Sequence, residues 1–279
     1  MANSGWRYYN HALIPTCAPH ETPDTSALDD KTLWKSGRPL LARWTTDFDC
    51  ETQTSWWYCI CDKPFDIAAL KSKRRNIVKN AVKYCTVSIC DPVRYEDELL
   101  EIFNAAQMAY PAANRNLSDK DAFHSYLTKL ASDENTMFYV CFLKENGVAA
   151  GYAIVKDFGS YLEYQVQKVK PGYERYQVNA ALAYAIVEDN ASRLSNDFYI
   201  CDGARNINHA THFQDYLEKY FGFRKAYCTL HIRYRKEIKH LIWVIYPLRG
   251  LFRKFDRNKL LHQLNGVLLM EEIRRHLHE

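Results

Sequence analysis

Between residues 136 and 190 the spacing of apolar positions changes from two to 3.6. Residues 136–143, 148–156 and 161–169 are rich in β-branched and aromatic side chains, as strands require. In the third run Leu162, Tyr164 and Val166 alternate with Glu163, Gln165 and Gln167, the pattern of a strand with one buried face. From Glu174 to about residue 190, Val178, Leu182, Ala185 and Ile186 fall at helical spacing on one face. Asn146-Gly147 predicts a tight hairpin, Gly159-Ser160 a second turn, and Pro171-Gly172 a turn from strand into helix. A strand feeding a helix this way aims first-turn N–H groups beyond the strand, which suits a phosphate or pyrophosphate. The same pattern also describes an ordinary strand–helix junction in a mixed domain.

The flanking patterns extend this reading. A strand at 86–90 precedes a helix at 92–110 carrying Leu99, Leu100, Ile102, Phe103 and Ala106. Ser118 or Asp119 caps a second helix running to residue 131. After residue 190 come a strand at 198–201, the polar loop Asp202-Gly203-Ala204-Arg205-Asn206, a helix at 211–221 ended by Gly222, and an alternating strand at 223–234. Residues 1–38, punctuated by Pro15, Pro19 and Pro23, read as a surface arm with at most a short helix near 29–34. Two apolar runs within 40–62 predict a hairpin. Asp66 then caps a helix to residue 84, with Ile67, Leu70, Ile77 and Ala81 on one side and Lys71, Lys73, Arg74, Arg75, Lys79 and Lys83 on the other. The expected division is an N-terminal extension (1–85), a central domain (86–235) and a helical tail (236–279).

Composition narrows the class. With 47% hydrophobic and 25% charged residues, the chain reads as an ordinary globular protein. No secretory leader or bilayer-length apolar run is visible, which points to a cytoplasmic location. Nine cysteines, odd in number and without a Cys-x-x-Cys pair, read as reduced and mostly buried thiols. No metal is expected. From Lys236 onward nine Lys/Arg face five acids, an excess that equals the whole net charge of +4. There Leu241, Ile242, Trp243, Val244, Ile245 and Tyr246 lead into Pro247-Leu-Arg-Gly-Leu-Phe-Arg-Lys-Phe. That mixture suits a helix lying at a membrane interface, and equally one packed on the domain or against a second copy.

The order from residue 86, β-α-α-β-β-β-α-β-α-β, resembles that of the GNAT acyltransferases. The stretches LKSKRRNIVKNAVKYCTV, DGARNINHATHFQDYLEKYFGFRKAYC and YYNHALIP are similar to GNAT-like proteins related to the Fem peptidoglycan-bridge transferases, found beside bacterial polysaccharide-biosynthesis enzymes. The resemblance implies an α/β (α+β) fold with a mixed central sheet and flanking helices. It implies an N-acyltransferase using acetyl-CoA or another acyl-CoA. The pantetheine arm would lie along 161–169, at Gln167 and Val169, and the pyrophosphate at Gly172, Tyr173, Arg175, Tyr176 and Gln177. GNAT enzymes typically carry Arg/Gln-x-x-Gly-x-Gly/Ala at this turn, whereas here no glycine follows Gly172 until Gly203. The implied acceptor is the amine of an amino sugar or of a surface glycan or glycolipid precursor. Two alternatives stand beside it: an aminoacyl-tRNA-dependent transferase, favoured by the basic helix at 71–83, and a non-catalytic binding protein, favoured by the missing glycines.

Acyl transfer to an amine needs a base for the amine, polarisation of the carbonyl and a proton for the leaving group. Glu163, on the central strand, is the first candidate base. Asp202, at the end of the next strand, is the second, in a loop where Arg205 and Asn206 are placed to orient a carboxylate, phosphate or sugar. Tyr216, with Tyr220 beside it, is the candidate proton donor. Arg74, Arg75 and His209 complete the expected substrate contacts, and His212 lies near His209.

Overall fold

The structure is a computed structural model that describes residues 5–35, 37–110, 115–207, 212–253 and 259–276. Along the chain, strands β1 (Trp6–Tyr9), β2 (Ala12–Pro15), β3 (Leu41–Thr46) and β4 (Trp57–Cys61) precede helix α1 (Ser72–Tyr84) and strand β5 (Cys85–Ile89). Helices α2 (Glu96–Met108) and α3 (Lys120–Ala131) follow, then strands β6 (Thr136–Leu143), β7 (Ala149–Asp157) and β8 (Tyr161–Val169). Helix α4 (Val178–Asp189), strand β9 (Tyr199–Ala204) and helix α5 (Phe213–Tyr220) lead to β10 (Arg224–Tyr227) and β11 (Thr229–Tyr234). Helices α6 (Lys236–Ile245), α7 (Arg249–Phe252) and α8 (Lys259–His276) end the chain. The expected α/β fold with mixed sheets and flanking helices is present.

The chain forms two compact units. One comprises residues 1–58, 204–212 and 225–279, the other 59–203 and 213–224. The smaller sheet has the order β1-β2-β3-β11 and the larger β10-β4-β9-β8-β7-β6-β5.

In the second unit, β5 to β8 form an antiparallel meander. One face is covered by α2 and α3, whose Leu99, Ile102, Phe123 and Leu127 pack with Phe138, Val140, Tyr152 and Ile154. The other face carries α4. Its Val178, Ala180, Ala181, Leu182, Ala183, Ile186 and Val187 are all buried, because the helix packs on both the sheet and α1. The start of α4 approaches the sheet closely at Gly151. A methyl group there would meet Val178 Cγ1 at 2.7 Å and the Lys168 carbonyl at 3.0 Å.

Four expectations are corrected. The hairpin at 40–62 does not form: β3 pairs with β11 and β2 in the smaller sheet, while β4 belongs to the larger. Asp47 and Asp49 take left-handed φ of 56° and 60° between them, so the chain turns out of its first sheet instead of reversing along it. The N-terminal arm contains a hairpin, since Asn10 and His11 both adopt positive φ, as a type I′ turn needs. Its Trp6 packs with Leu13, Leu28 and Ala42 and donates to the Asp24 carbonyl at 2.9 Å.

The helix begun at Asp66 is interrupted. Asp66 caps a 3-10 turn through the Ala68 N–H at 2.7 Å, Leu70 and Lys71 are extended, and α1 restarts at Ser72. The Leu70 carbonyl accepts from the Arg75 guanidinium at 2.9 Å rather than from a helical amide. The strand at 223–234 is broken at Cys228, whose amide donates to the Trp56 carbonyl at 3.0 Å while its carbonyl accepts from Thr54 Oγ1 at 2.8 Å. Those bonds end one ladder and let the chain enter another sheet.

The close approach at Gly151 generates a stability prediction. Gly151→Ala should lower unfolding free energy by about 1–3 kcal/mol through overpacking, measured by urea titration, with Gly151→Val costing more.

Candidate active site

Strands β8 and β9 run parallel and pair only at Tyr161 with Tyr199, Leu162 with Ile200 and Glu163 with Cys201. Beyond Glu163, β8 continues to Val169, paired with β7 on its other edge. A bulge at Gln165, where Val155 faces Tyr164 and Ile154 faces Val166, bends β8 just past the last pair. Alternate peptide groups of β8 therefore point into the fork between the strands, where the described residues supply no ladder partner from β9.

Side-chain parity divides the candidates. Glu163 faces Lys156 across the β7 ladder, and Lys156 shares a face with Ile154, which lies in the core beneath α2 and α3. Glu163 thus lies on the α2/α3 face, half-buried and accepting from Gln165 Nε2 at 2.9 Å. Tyr164 and Asp202, each one residue further along, lie on the α4 face. The structure does not bring the two expected carboxylates together.

It does bring Asp202 and Tyr216 each beside Tyr164, and sets Gln214 against Asp202. Helix α5 places Phe213 edge-on to Tyr164 at 5.7 Å between centroids and Tyr216 stacked on Phe213 at 6.1 Å. Gln214 Nε2 donates to the Asp202 carbonyl at 3.5 Å. Burial raises the Asp202 carboxyl to about 7, against a smaller lowering by its hydrogen bond with Gln214. Burial, then the charge of Asp202 and the nearby Tyr216, push the Tyr164 hydroxyl well above the usual phenol range. Burial and Tyr220 raise Tyr216 likewise. The Tyr164 hydroxyl donates to Gln167 Oε1, and Gln167 Nε2 donates to Asn179 Oδ1 at 2.7 Å on the first turn of α4.

The turn into α4 is built without the expected glycines. Gly172 has φ of 90° and open space where a side chain would project. Its N–H donates to Glu174 Oε1 at 3.0 Å, and that bond holds the Glu174 carboxyl below the usual range. Gln177 takes the left-handed conformation, φ 60°, that glycine adopts at least cost, and donates through Nε2 to the Glu174 carbonyl at 3.1 Å. No side chain caps α4, and an uncapped helix start is the kind of site that suits an anionic group. Arg175 reaches the Tyr176 hydroxyl, which in turn donates to Glu145, and Tyr173 packs beside Tyr176. Val169 sits opposite Gly151 at the end of β8.

The remaining expected contacts are dispersed. Arg74 donates to the Lys219 carbonyl at 3.1 Å and, with Lys63, Lys219, Asp66 and Glu218, lines a cavity of about 350 Å³ beside α5. Arg75 is held by Leu70. Arg205 and Asn206 belong to the first unit, where the Arg205 amide donates to Trp57 O at 2.8 Å and its guanidinium to Ser55 O at 2.6 Å. His209 lies outside the described residues. Sequence reasoning passed over Tyr164 and Gln214; the signal for Tyr164 was the strand parity that sets it opposite Glu163.

No protein-family model and no curated protein sequence matches the chain. Among solved structures, L-PGS from Bacillus licheniformis is 12% identical, with 89% of this chain and 85% of that chain covered and a TM-score of 0.52. A C-terminal domain (DUF2156) from Agrobacterium fabrum, proposed to be that of a lysylphosphatidylglycerol synthetase, is 10% identical, with 85% and 82% covered and a TM-score of 0.51. FemX is 11% identical over 80% of this chain and 71% of that chain, with a TM-score of 0.48. The first two likenesses establish a shared fold.

The raised Asp202 carboxyl has a defined pH signature. In the unfolded chain an aspartate titrates near 3.9, so between about pH 4 and the folded value of about 7 the native state binds more protons. Its stability falls as pH rises through that window. Asp202→Asn removes the dependence, and its Tm relative to wild type should therefore be higher at pH 8 than at pH 5, as read by thermal unfolding.

Proposed function

We propose that this chain is an N-acyltransferase whose reacting groups meet in the fork between β8 and β9. The observation that carries the proposal is the Asp202 carboxyl, raised by burial to about 7, with Tyr164 and Tyr216 protonated in the resting site. A base for an amine works best when its pKa lies near the operating pH, and that is the value burial gives Asp202.

The donor proposed is acetyl-CoA or another acyl-CoA. The residues present fit such a donor in two ways: the β8 edge past Glu163 offers peptide groups to an extended amide-bearing arm, and the uncapped start of α4 offers amides to phosphate. Gly172 contributes little to the second, because Glu174 already holds its N–H. The bound donor supplies an activated acyl carbonyl. Asp202 takes the proton of the acceptor amine as its nitrogen bonds to that carbonyl carbon. As the carbon–sulfur bond breaks, Tyr216 gives its proton to the thiolate and is reprotonated from solvent. Tyr164, fixed through Gln167 and Asn179, orients the carbonyl and excludes water. Glu163, on the opposite face, takes no part in proton transfer. The acceptor is an amino sugar or a glycan or glycolipid amine, with the cavity at Lys63, Arg74 and Lys219 proposed to hold its anionic group.

A second reading keeps these residues and changes the donor to an aminoacyl-tRNA. It is favoured by the exposed Lys71, Lys73, Lys79 and Lys83 of the α1 region and by the lysylphosphatidylglycerol synthetase name carried by one structure of the same fold.

Two outcomes test the proposal. Acetyl-CoA at about a hundred times its Kd should add about 2.7 kcal/mol to native stability, seen as a rise in Tm; no rise with acyl-CoA moves the donor to aminoacyl-tRNA. With the donor in hand, Asp202→Asn should lower kcat/KM at least about a hundredfold, while Glu163→Gln should leave it within about threefold. The reverse order would return the base to Glu163.

A further inference from the structure

Residues 236–252 form one nearly continuous helical path through α6, a 3-10 turn at Tyr246–Leu248 and α7. One side of this path is buried. Ile242 and Tyr246 pack on Leu268 of α8, with Ile238, Ile245 and Phe252 half-buried against them. The other side is apolar yet exposed: Leu241, Val244, Leu248 and Leu251 are each more than half exposed, and Trp243 beside them is 73% exposed. Their spacing of three, four and three residues makes a single stripe along the helix. Exposed stripes of this length are uncommon on a soluble surface without a partner.

The charges around the stripe are unevenly matched. Lys236, Lys239 and His240 are exposed at its N-terminal end. Every described acid of the tail is held by arginine: Glu237 by Arg235 at 2.9 Å, Glu271 by Arg274 and Arg275 at 2.7 and 2.8 Å, and Glu272 by Arg249 at 3.1 Å and by Arg253. Glu237, one turn before Leu241, is thus offset by Arg235, and the exposed N-terminal end of the stripe keeps a net positive charge from Lys236 and Lys239. No described helix is long and apolar enough to cross a membrane.

We infer that this face docks on an anionic lipid bilayer, with Leu241, Trp243, Val244, Leu248 and Leu251 entering the headgroup boundary while Lys236 and Lys239 meet lipid phosphates. An apolar stripe with an interfacial tryptophan and a lysine rim has the chemistry of such a surface. Pairing the stripe with its counterpart on a second copy would bury the same leucines but bring no free carboxylate to the lysines. The inference is independent of the reaction proposed above, so either stands if the other fails.

The test is flotation of the full chain with phosphatidylcholine vesicles, with and without phosphatidylglycerol. Binding should be at least about tenfold stronger to the anionic vesicles and weaken with added salt. The double variant Trp243→Ser/Leu248→Ser should lose this binding, and Lys236→Glu/Lys239→Glu should reduce it to the neutral-vesicle level. Both variants change exposed side chains, and an unchanged Tm confirms that they remain folded. Equal binding by the variants, or no binding by the wild-type chain, overturns the inference. So does a concentration-dependent dimer that the serine variant abolishes, since the face would then be a self-contact.

Discussion

Three residue pairs hold β8 to β9, and the chemistry proposed for this protein begins where the pairing stops. A parallel ladder ended after three pairs leaves backbone donors and acceptors that must find water, ligand or side chains. Here β8 is held along its length by its ladder to β7 and bent at Gln165, while β9 runs on to Ala204 without a pair from β8 past Cys201. The fork is thus made by rigid elements rather than by a loose loop. Helix α5 lays Phe213 against Tyr164 and Tyr216 against Phe213, and it is burial that raises the Asp202 carboxyl.

The same economy governs the start of α4. Gly151 lets Val178 sit against the sheet, and the left-handed Gln177 turns the chain into the helix at that height. A larger residue at 151 would lift the helix and with it Asn179, the partner of Gln167. The tyrosine at 164, bonded to Gln167, is therefore positioned by a contact near the other end of β8. Packing and the polar network are one constraint here.

The meander β6–β8 was legible in the sequence because period-two alternation and the Asn146-Gly147 turn act locally. Helix α3, with its Asp119 cap donated to by the Ala122 amide at 2.8 Å, was legible for the same reason. The N-terminal hairpin was not, because His11 carries no turn signal of its own and is held at positive φ by the strands it joins. Nor was the break at Cys228, an apolar residue within an alternating run, since what ends the strand is a pair of hydrogen bonds to Thr54 and Trp56, remote in the chain.

For the candidate site, the residue types and their order came from the sequence: a carboxylate on each of two neighbouring strands, and tyrosines on the helix after the second. Local periodicity also determined the central meander and the helices that flank it, because those preferences depend on residues only a few positions apart. Which carboxylate meets the tyrosines was decided by tertiary structure. The register Glu163 with Cys201 puts Glu163 on one face of the sheet and Asp202 on the other, and a slip of one residue in β9 would have set both on the same face. Strand register depends on partners distant in the chain, and so does the desolvation that raises Asp202. A linear pattern carries neither.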